Sequence, residues 1–295
     1  MEDFLSTAVN ATANRGNSLI NRKMILRILG ILLFMEAMMF LVCAGVSLCY
    51  GEEDYIYFIY TTLINMAVGS GLILLGRGAE NRVTRRDGYC IVAFTWLLFT
   101  GFGMLPFYIS GSIPSVTDAF FETMSGFTTT GATILDDIEA LSHGMLFWRS
   151  FSQWIGGLGI VFFTIAVLPI FGVGNQVLFS AEATGVTHDK IHPKISVMAQ
   201  CLWTVYLVLT VAEIVLLLIG GMDLFDAACH AFSTTATGGY STKQASVAYW
   251  NSPFIEYVIA IFMILSGINF SLYFMCMKGR CGQLFKDGEL RLYLI

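Results

Sequence analysis

The stretch Phe127-Thr128-Thr129-Thr130-Gly131-Ala132-Thr133 lies between two long apolar segments, a setting in which no soluble fold needs small hydroxyl residues and a glycine. A second version, Ser233-Thr234-Thr235-Ala236-Thr237-Gly238-Gly239-Tyr240, follows farther along, again between apolar segments and again preceded by a short, acid-flanked, mostly apolar stretch. Irregular backbone at membrane depth is tolerated only where it is buried in protein or lines a wet cavity. Two such segments therefore constrain the whole architecture.

The membrane itself follows from composition. The 295 residues are 56% hydrophobic and only 13% charged, with a mean hydropathy of +0.71, whereas a soluble domain carries charge on roughly 25% of its residues. A spanning helix needs about 20 predominantly apolar residues, and several segments qualify. The net charge of -5 says little about partners, because in a membrane protein the placement of Lys and Arg matters and the total does not. Cys43, Cys49, Cys90, Cys201, Cys229, Cys276 and Cys281 show no CxxC spacing and lie mostly in apolar runs, so they read as small buried hydrophobes.

Residues 1–23 are polar, with Arg15, Arg22 and Lys23 close before the first apolar run, and read as a cytoplasmic tail rather than a cleaved signal peptide. A first span from about Met24 to Tyr50 holds Glu36, expected as a carboxylate buried against a neighbouring helix. The acidic loop Gly51-Glu52-Glu53-Asp54 and a second span from about Tyr55 to Gly76 complete a hairpin. Between Arg77 and Arg86 stand four arginines, a topology signal that fixes this loop in the cytoplasm. A third span follows from about Asp87 to Ile109.

Residues 115–127, SVTDAFFETMSGF, are apolar enough to enter the membrane and too short to cross it. With Ser115 or Thr117 as cap, they read as a re-entrant half-helix whose C-terminal end points its partial negative charge toward the bilayer centre, where it attracts cations. A long span is expected from about Met145 to Phe171, and its glycines at 156, 157 and 159 signal close helix packing. Arg149, near the external end, is expected to pair with Asp136, Asp137 or Glu139. The polar stretch 172–194 carries Lys190 and Lys194 and marks the cytoplasm; His188 and His192 have metal-pair spacing, but Pro193 follows directly and they are not read as a zinc site. A further span covers about Ile195 to Gly221 and contains Glu213, read as a helix-packing or interhelical hydrogen-bonding residue. The second half-helix occupies 223–232, with His230 as a packed or capping residue, and a last full span runs from about Pro253 to Met277. Residues 289–295 resemble the beginning of another helix.

Gly131 and Gly238 align at an offset of 107 residues, and around them the elements recur in one order: span, half-helix, Thr/Gly segment, span. Internal duplication of this kind is typical of channels and transporters. Both copies start and end on the cytoplasmic side, so they share orientation and flank an axis along the membrane normal. A cation crossing there must exchange its water for other oxygens, which backbone carbonyls supply without a net charge. Glycine permits the dihedrals that aim carbonyls inward, and threonine adds a hydroxyl without bulk.

The motifs FTTTGATIL (127–135), WRSFSQWIGGLGIVFF (148–163), SAEATG (180–185), HAFSTTATGGYST (230–242) and LSGINFSLYF (265–274) resemble the Trk/Ktr/HKT potassium-uptake proteins, most closely the bacterial TrkH type. The resemblance implies an all-α integral membrane protein, with an N-terminal helical hairpin followed by two membrane-pore-membrane repeats with re-entrant pore loops. It implies potassium uptake through a carbonyl-lined filter with Thr128, Thr129, Thr130, Gly131 and Ala132 in one quadrant and Thr235, Ala236, Thr237, Gly238 and Gly239 in another. Gly131 and Gly238 take the positions of the filter glycines; glycine at both fits the potassium-selective members. It further implies a homodimer in the cytoplasmic (inner) membrane, multi-pass with the N-terminus in the cytoplasm, regulated by a cytosolic nucleotide-binding ring of the TrkA kind. No cofactor is implied and potassium is the transported ion; nucleic acid is not expected as a partner.

The expected units are a tail (1–23), the hairpin with its basic loop (24–86), a first repeat (87–194, pore helix and filter 115–134), a second repeat (195–288, pore helix and filter 223–241) and the start of a third (289–295). The family builds four pore repeats around one filter, and this chain shows two, so it would carry half a filter. The competing readings are a non-conducting structural fragment or assembly partner and, weakly, an intramembrane enzyme, for which the spans hold no GxSG, HExxH or paired catalytic aspartates.

Overall fold

Two long helices, α1 (Arg22–Cys49) and α2 (Tyr55–Leu75), flank the acidic turn at residues 50–54. The computed structural model describes residues 20–79, 85–157, 159, 195–277, 282 and 287–294; the predicted cytoplasmic tail before residue 20 and the His188/His192 loop lie outside them. Asn21 caps α1, its side-chain oxygen accepting from the Met24 N–H at 3.2 Å, and Gly51 turns the chain with a positive φ of 71°. The hairpin is close-packed through small residues: a Cβ on Gly30 would sit 2.6 Å from the Gly69 carbonyl oxygen. Glu36 is buried in this contact and accepts from Asn65 Nδ2 at 2.9 Å, which is the interhelical role expected of it.

The third predicted span is interrupted at one residue. Helix α3 (Arg85–Gly103) gives way at Met104 to α4 (Leu105–Ile109), with Pro106 at the start of the short segment. Proline has no N–H to donate and its ring crowds the preceding turn, which accounts for the interruption. Together these helices still form one apolar rod. Among the described residues, four helices are long and apolar enough to cross a membrane: Arg22–Cys49, Tyr55–Leu75, Arg86–Ile109 and Cys201–Ile219. Ile56, Ile59, Tyr60 and Leu63 on α2 are exposed apolar residues of the kind a bilayer covers.

Two short helices interrupt this pattern. Helix α5 (Val116–Phe127) is capped by Ser115, and α6 (His143–Gly157) packs beside it. The predicted span from Met145 to Phe171 is thus helical over the described residues to Gly157; Gly159 is non-helical with φ 71°, and residues 158 and 160–171 lie outside the described residues. Helix α7 (Ile195–Ile219) leads to α8 (Leu224–Thr235), which is capped by Asp223. The last predicted span is also divided. After a 3₁₀ turn at Ser246–Trp250, α9 (Pro253–Gly267) stops at Ile268, whose φ and ψ of -71° and 139° are extended, and α10 (Phe270–Met277) resumes the path. Gly267 and Asn269 flank that break, and both are residue types that end helices. A final helix, α11 (Gly288–Tyr293), is capped by Asp287.

The described residues contain helices and no strand. One core gathers the hairpin, α3, α5 and α6 around Phe40, Phe58, Phe99, Phe127 and Trp148. Another gathers α7, α8 and α9 around Leu217, Ala227, Ile255 and Ile259. Helix α6 joins them, since it packs on both α5 and α8.

Candidate functional site: two matched loops behind capped half-helices

Helices α5 and α8 each hold 12 residues, roughly 18 Å at a helical rise of 1.5 Å per residue, too little to cross a bilayer. Ser115 Oγ accepts from the Asp118 N–H at 3.3 Å, and Asp223 Oδ2 accepts from the Phe225 and Asp226 N–H groups at 3.1 and 3.3 Å. Each cap fixes where its helix begins.

Both helices end in the same way. At the first, the Thr130 N–H donates to the Ser125 carbonyl at 3.0 Å and the Thr129 N–H to the Gly126 carbonyl at 3.0 Å. At the second, the Gly238 N–H donates to the Ser233 carbonyl at 2.9 Å and the Thr237 N–H to the Thr234 carbonyl at 2.9 Å. These are paired Schellman closures, in which the residue after the cap is left-handed and is usually glycine. Here it is threonine in both: Thr129 has φ 52° and Thr237 φ 56°. A β-branched residue in that conformation is an outlier costing about 1–2 kcal/mol. Two residues on, Gly131 and Gly239 are also left-handed, with φ 74° and 84°.

This geometry corrects the register of the repeat. The backbone pairs Thr129 with Thr237 and Gly131 with Gly239, an offset of 108, whereas aligning Gly131 with Gly238 gives 107. The ambiguity came from the adjacent glycines 238 and 239, which a letter alignment cannot tell apart. Thr235, expected in the second loop, is instead the last residue of α8, where its hydroxyl donates to Glu213 Oε2 at 3.5 Å. That contact gives Glu213 the packing role expected of it, while Glu213 Oε1 has no partner among the described residues.

The loops meet. A Cβ on Gly131 would collide with the Gly238 carbonyl oxygen, and a Cβ on Gly238 with the Gln153 side chain. Among the described residues, the carbonyls of Thr128, Thr129, Thr130, Gly131, Thr235, Ala236, Thr237, Gly238 and Gly239 accept no protein hydrogen bond. The Ala132 carbonyl differs: Ser125 Oγ donates to it at 2.6 Å and Tyr240 Oη lies 3.2 Å away. Thr128 and Thr130 pair their hydroxyls at 2.8 Å.

Helix α6 presses on both loops from behind. A Cβ on Gly156 would collide with the Phe127 carbonyl, and one on Gly157 would stand 2.7 Å from Ala236 Cα, so the glycines here serve close packing as expected. Gln153 Oε1 accepts from the Tyr240 N–H at 3.2 Å. Arg149 does not pair with Asp136, Asp137 or Glu139. Its Nε and Nη2 both lie 2.9 Å from Glu122 Oε1, and both side chains are buried. Asp136, Asp137 and Glu139 are exposed, and a buried guanidinium needs a buried counter-charge. Glu122 also accepts from Thr133 Oγ1 and the Ile134 N–H, each at 3.0 Å.

The second loop rests on a different set. His230 Nδ1 lies 2.8 Å from the Asp226 carbonyl, which can only accept, so Nδ1 carries a proton and Nε2 is left to accept from Ser241 Oγ at 2.9 Å in the neutral ring. This is the packed role expected of His230. Thr242 Oγ1 donates to Asp226 Oδ1 at 2.6 Å. Beyond both loops, Glu52 in the hairpin turn accepts from the His143 N–H at 3.0 Å, the His143 ring at 2.7 Å and the Gly144 N–H at 3.4 Å. Partial burial pushes the Glu52 carboxyl up, but these donors outweigh it and hold its pKa below the ordinary value. No group of three or more His, Cys, Asp or Glu among the described residues is arranged to hold a metal.

Comparison with known proteins agrees with this architecture. The family profile described as TrkH, cation transport protein, matches residues 56–287. The Trk system potassium uptake protein TrkH of Escherichia coli K12 is 40% identical over 273 residues, covering 92% of this chain and 56% of that protein. TrkH of Halomonas elongata is 38% identical over 276 residues, covering 92% of this chain and 57% of that protein. The crystal structure of the potassium transporter TrkH from Vibrio parahaemolyticus superposes with a TM-score of 0.78 at 35% identity, over 92% of this chain and 56% of that one. The chain spans about half the length of the curated relatives it matches.

Proposed function

This chain belongs to the TrkH family of cation transport proteins, which are transporters rather than enzymes, and on that premise we propose that it takes part in potassium uptake through a carbonyl-lined filter. The observation that carries the reading is the repeated backbone course: a left-handed threonine, then a left-handed glycine, behind each capped half-helix, with Gly131 touching the Gly238 carbonyl. Strain duplicated at two matched positions is retained where it serves a site, and carbonyls free of protein donors are the ligands a dehydrated monovalent cation takes.

In this reading Thr128 to Ala132 and Thr235 to Gly239 form two quadrants. Ala132, whose carbonyl is engaged, anchors the first, and the free carbonyls above it face the ion. The C-terminal ends of α5 and α8 add partial negative charge behind the loops. Two quadrants line one side of an ion's path, and the coordination shell is completed by two further quadrants. Domain boundaries follow: hairpin and basic loop (24–86), first repeat (87–194), second repeat (195–288) and the start of a third (289–295). The protein resides in the cytoplasmic (inner) membrane with its N-terminus inside, acts as a homodimer and answers to a cytosolic nucleotide-binding ring of the TrkA kind. Potassium is its cargo, moving down its electrochemical gradient.

The test is uptake by the product of the complete gene in a strain lacking its own potassium uptake. Restored growth at low potassium, lost on Gly131→Asp or Gly238→Asp with the protein still in the membrane, supports the reading. Unchanged uptake in those variants overturns it.

A further inference from the structure

The buried ion pair behind the first loop reaches across to the second repeat. Arg149 Nη1 donates to the Ser241 carbonyl at 3.2 Å, and its guanidinium carbon stands 4.1 Å from the centre of the Tyr240 ring. Tyr240 returns the contact: its Oη lies 2.9 Å from the Glu122 carbonyl and 3.2 Å from the Ala132 carbonyl, both in the first repeat. A residue of the second loop thus touches the first repeat both within α5 and at the far end of its loop, while a residue of the first repeat's helix holds the backbone just after Tyr240.

We propose that Glu122, Arg149 and Tyr240 are positioning residues that set the spacing between the two loops, and through it the discrimination between potassium and smaller cations. This rests on the filter reading above. Whether a carbonyl filter selects by cavity size or by the number and field of its oxygens, the outcome depends on how far apart the two loops are held. Local loop geometry alone leaves that distance free. The Schellman closures fix each loop to its own helix, and only contacts between the repeats fix one loop to the other. Chief among these are the Gly131–Gly238 touch and the Glu122–Arg149–Tyr240 unit. The touch limits approach, and the three residues limit separation. Tyr240 suits this task because a ring has few rotamers, and because stacking under a guanidinium orders it further.

The experiment compares Tyr240→Phe and Arg149→Lys with the parent protein, measuring rubidium and sodium uptake per membrane-inserted molecule. Tyr240→Phe keeps the ring beneath Arg149 and deletes only the hydroxyl, so the sodium-to-rubidium ratio should rise about threefold, the order expected for one lost hydrogen bond. Arg149→Lys keeps the charge but loses the forked contact to Glu122 and the Ser241 carbonyl, and the ratio should rise further. Rubidium uptake should fall less than the ratio changes. A purely structural role predicts lower protein amount and equal loss of both ions; an unchanged ratio in both variants overturns the proposal. Gly131→Asp in the same assay separates the two readings. If it abolishes uptake while both ratios stay at the parent value, the positioning role fails and the filter stands; if it leaves uptake intact, both fall.

Discussion

Around Thr129 and around Thr237 the backbone follows one course, yet Thr128, Thr130, Ala132 and Thr133 are exposed while Ala236, Gly238, Tyr240 and Ser241 are buried. The first loop is held by a charged pair, Glu122 with Arg149, and by Ser125. The second is held by Gln153 at the Tyr240 N–H, by His230 through Ser241 and by Asp226 through Thr242, with Arg149 reaching over to the Ser241 carbonyl and the first loop against its Gly238 carbonyl. The duplication preserved the backbone conformation and not the means of holding it. What the two copies share is therefore what the site requires, and what differs is what each neighbourhood could supply.

The difference can be broken most sharply at the two equivalent glycines. Gly131→Ala combines a left-handed backbone, costing about 1–2 kcal/mol for a side chain, with collision against a carbonyl that cannot yield. Gly239→Ala meets the same backbone cost with nothing within 4 Å of its Cβ. Potassium uptake should fall to near background in the first and only several-fold in the second; equal losses would mean that the loops do not press on each other as described. Next in size is stability. Glu122→Ala strands Arg149 as a buried unpaired charge and should cost about 3–5 kcal/mol, whereas Ser241→Ala leaves one His230 nitrogen without its donor and should cost about 1–3 kcal/mol. Thermal unfolding of the detergent-solubilised proteins checks the ordering. A third, subtler probe is Gly238→Ala, whose added methyl strikes the end of Gln153. Because that obstacle is a side chain, Gln153→Ala should restore part of the lost uptake, a non-additive pair of the kind expected for residues in contact.

The smallest effect concerns Glu52. Its carboxyl is held below its ordinary pKa in the folded protein, so its contribution is present above the unfolded value of about 4.3 and is lost as pH falls through the folded one. Between pH 6 and pH 3 the parent should lose slightly more thermal stability than Glu52→Gln, and identical profiles would remove Glu52 as a tie between the hairpin and α6.

Much of this molecule was legible in its letters, because hydropathy and Thr/Gly chemistry are local. The hairpin, the two half-helices, the first with Ser115 as one of two candidate caps, and the Thr/Gly segments behind them followed from runs and turn residues. Other features needed three dimensions. Arg149 lies closer in sequence to Asp136, Asp137 and Glu139 than to Glu122, and only the packing of α6 on α5 reveals which carboxylate is buried with it. The one-residue register shift hid behind adjacent glycines, and only left-handed φ angles distinguish Gly239 from Gly238. The interruptions at Met104 and Ile268 did have signals, Pro106 in one case and Gly267 with Asn269 in the other, but apolar character runs through both and masks them.

Gly156 and Gly157 carry a consequence for how such proteins diverge and recombine. They sit on one helix, yet one touches the backbone of the first loop and the other that of the second. Sequence duplication suggests interchangeable cassettes, but a chimera joined between the repeats would inherit one loop fitted to a helix surface from another lineage. Viable exchanges should carry α6 together with both loops, so the heritable unit is the pair of loops with the helix between them.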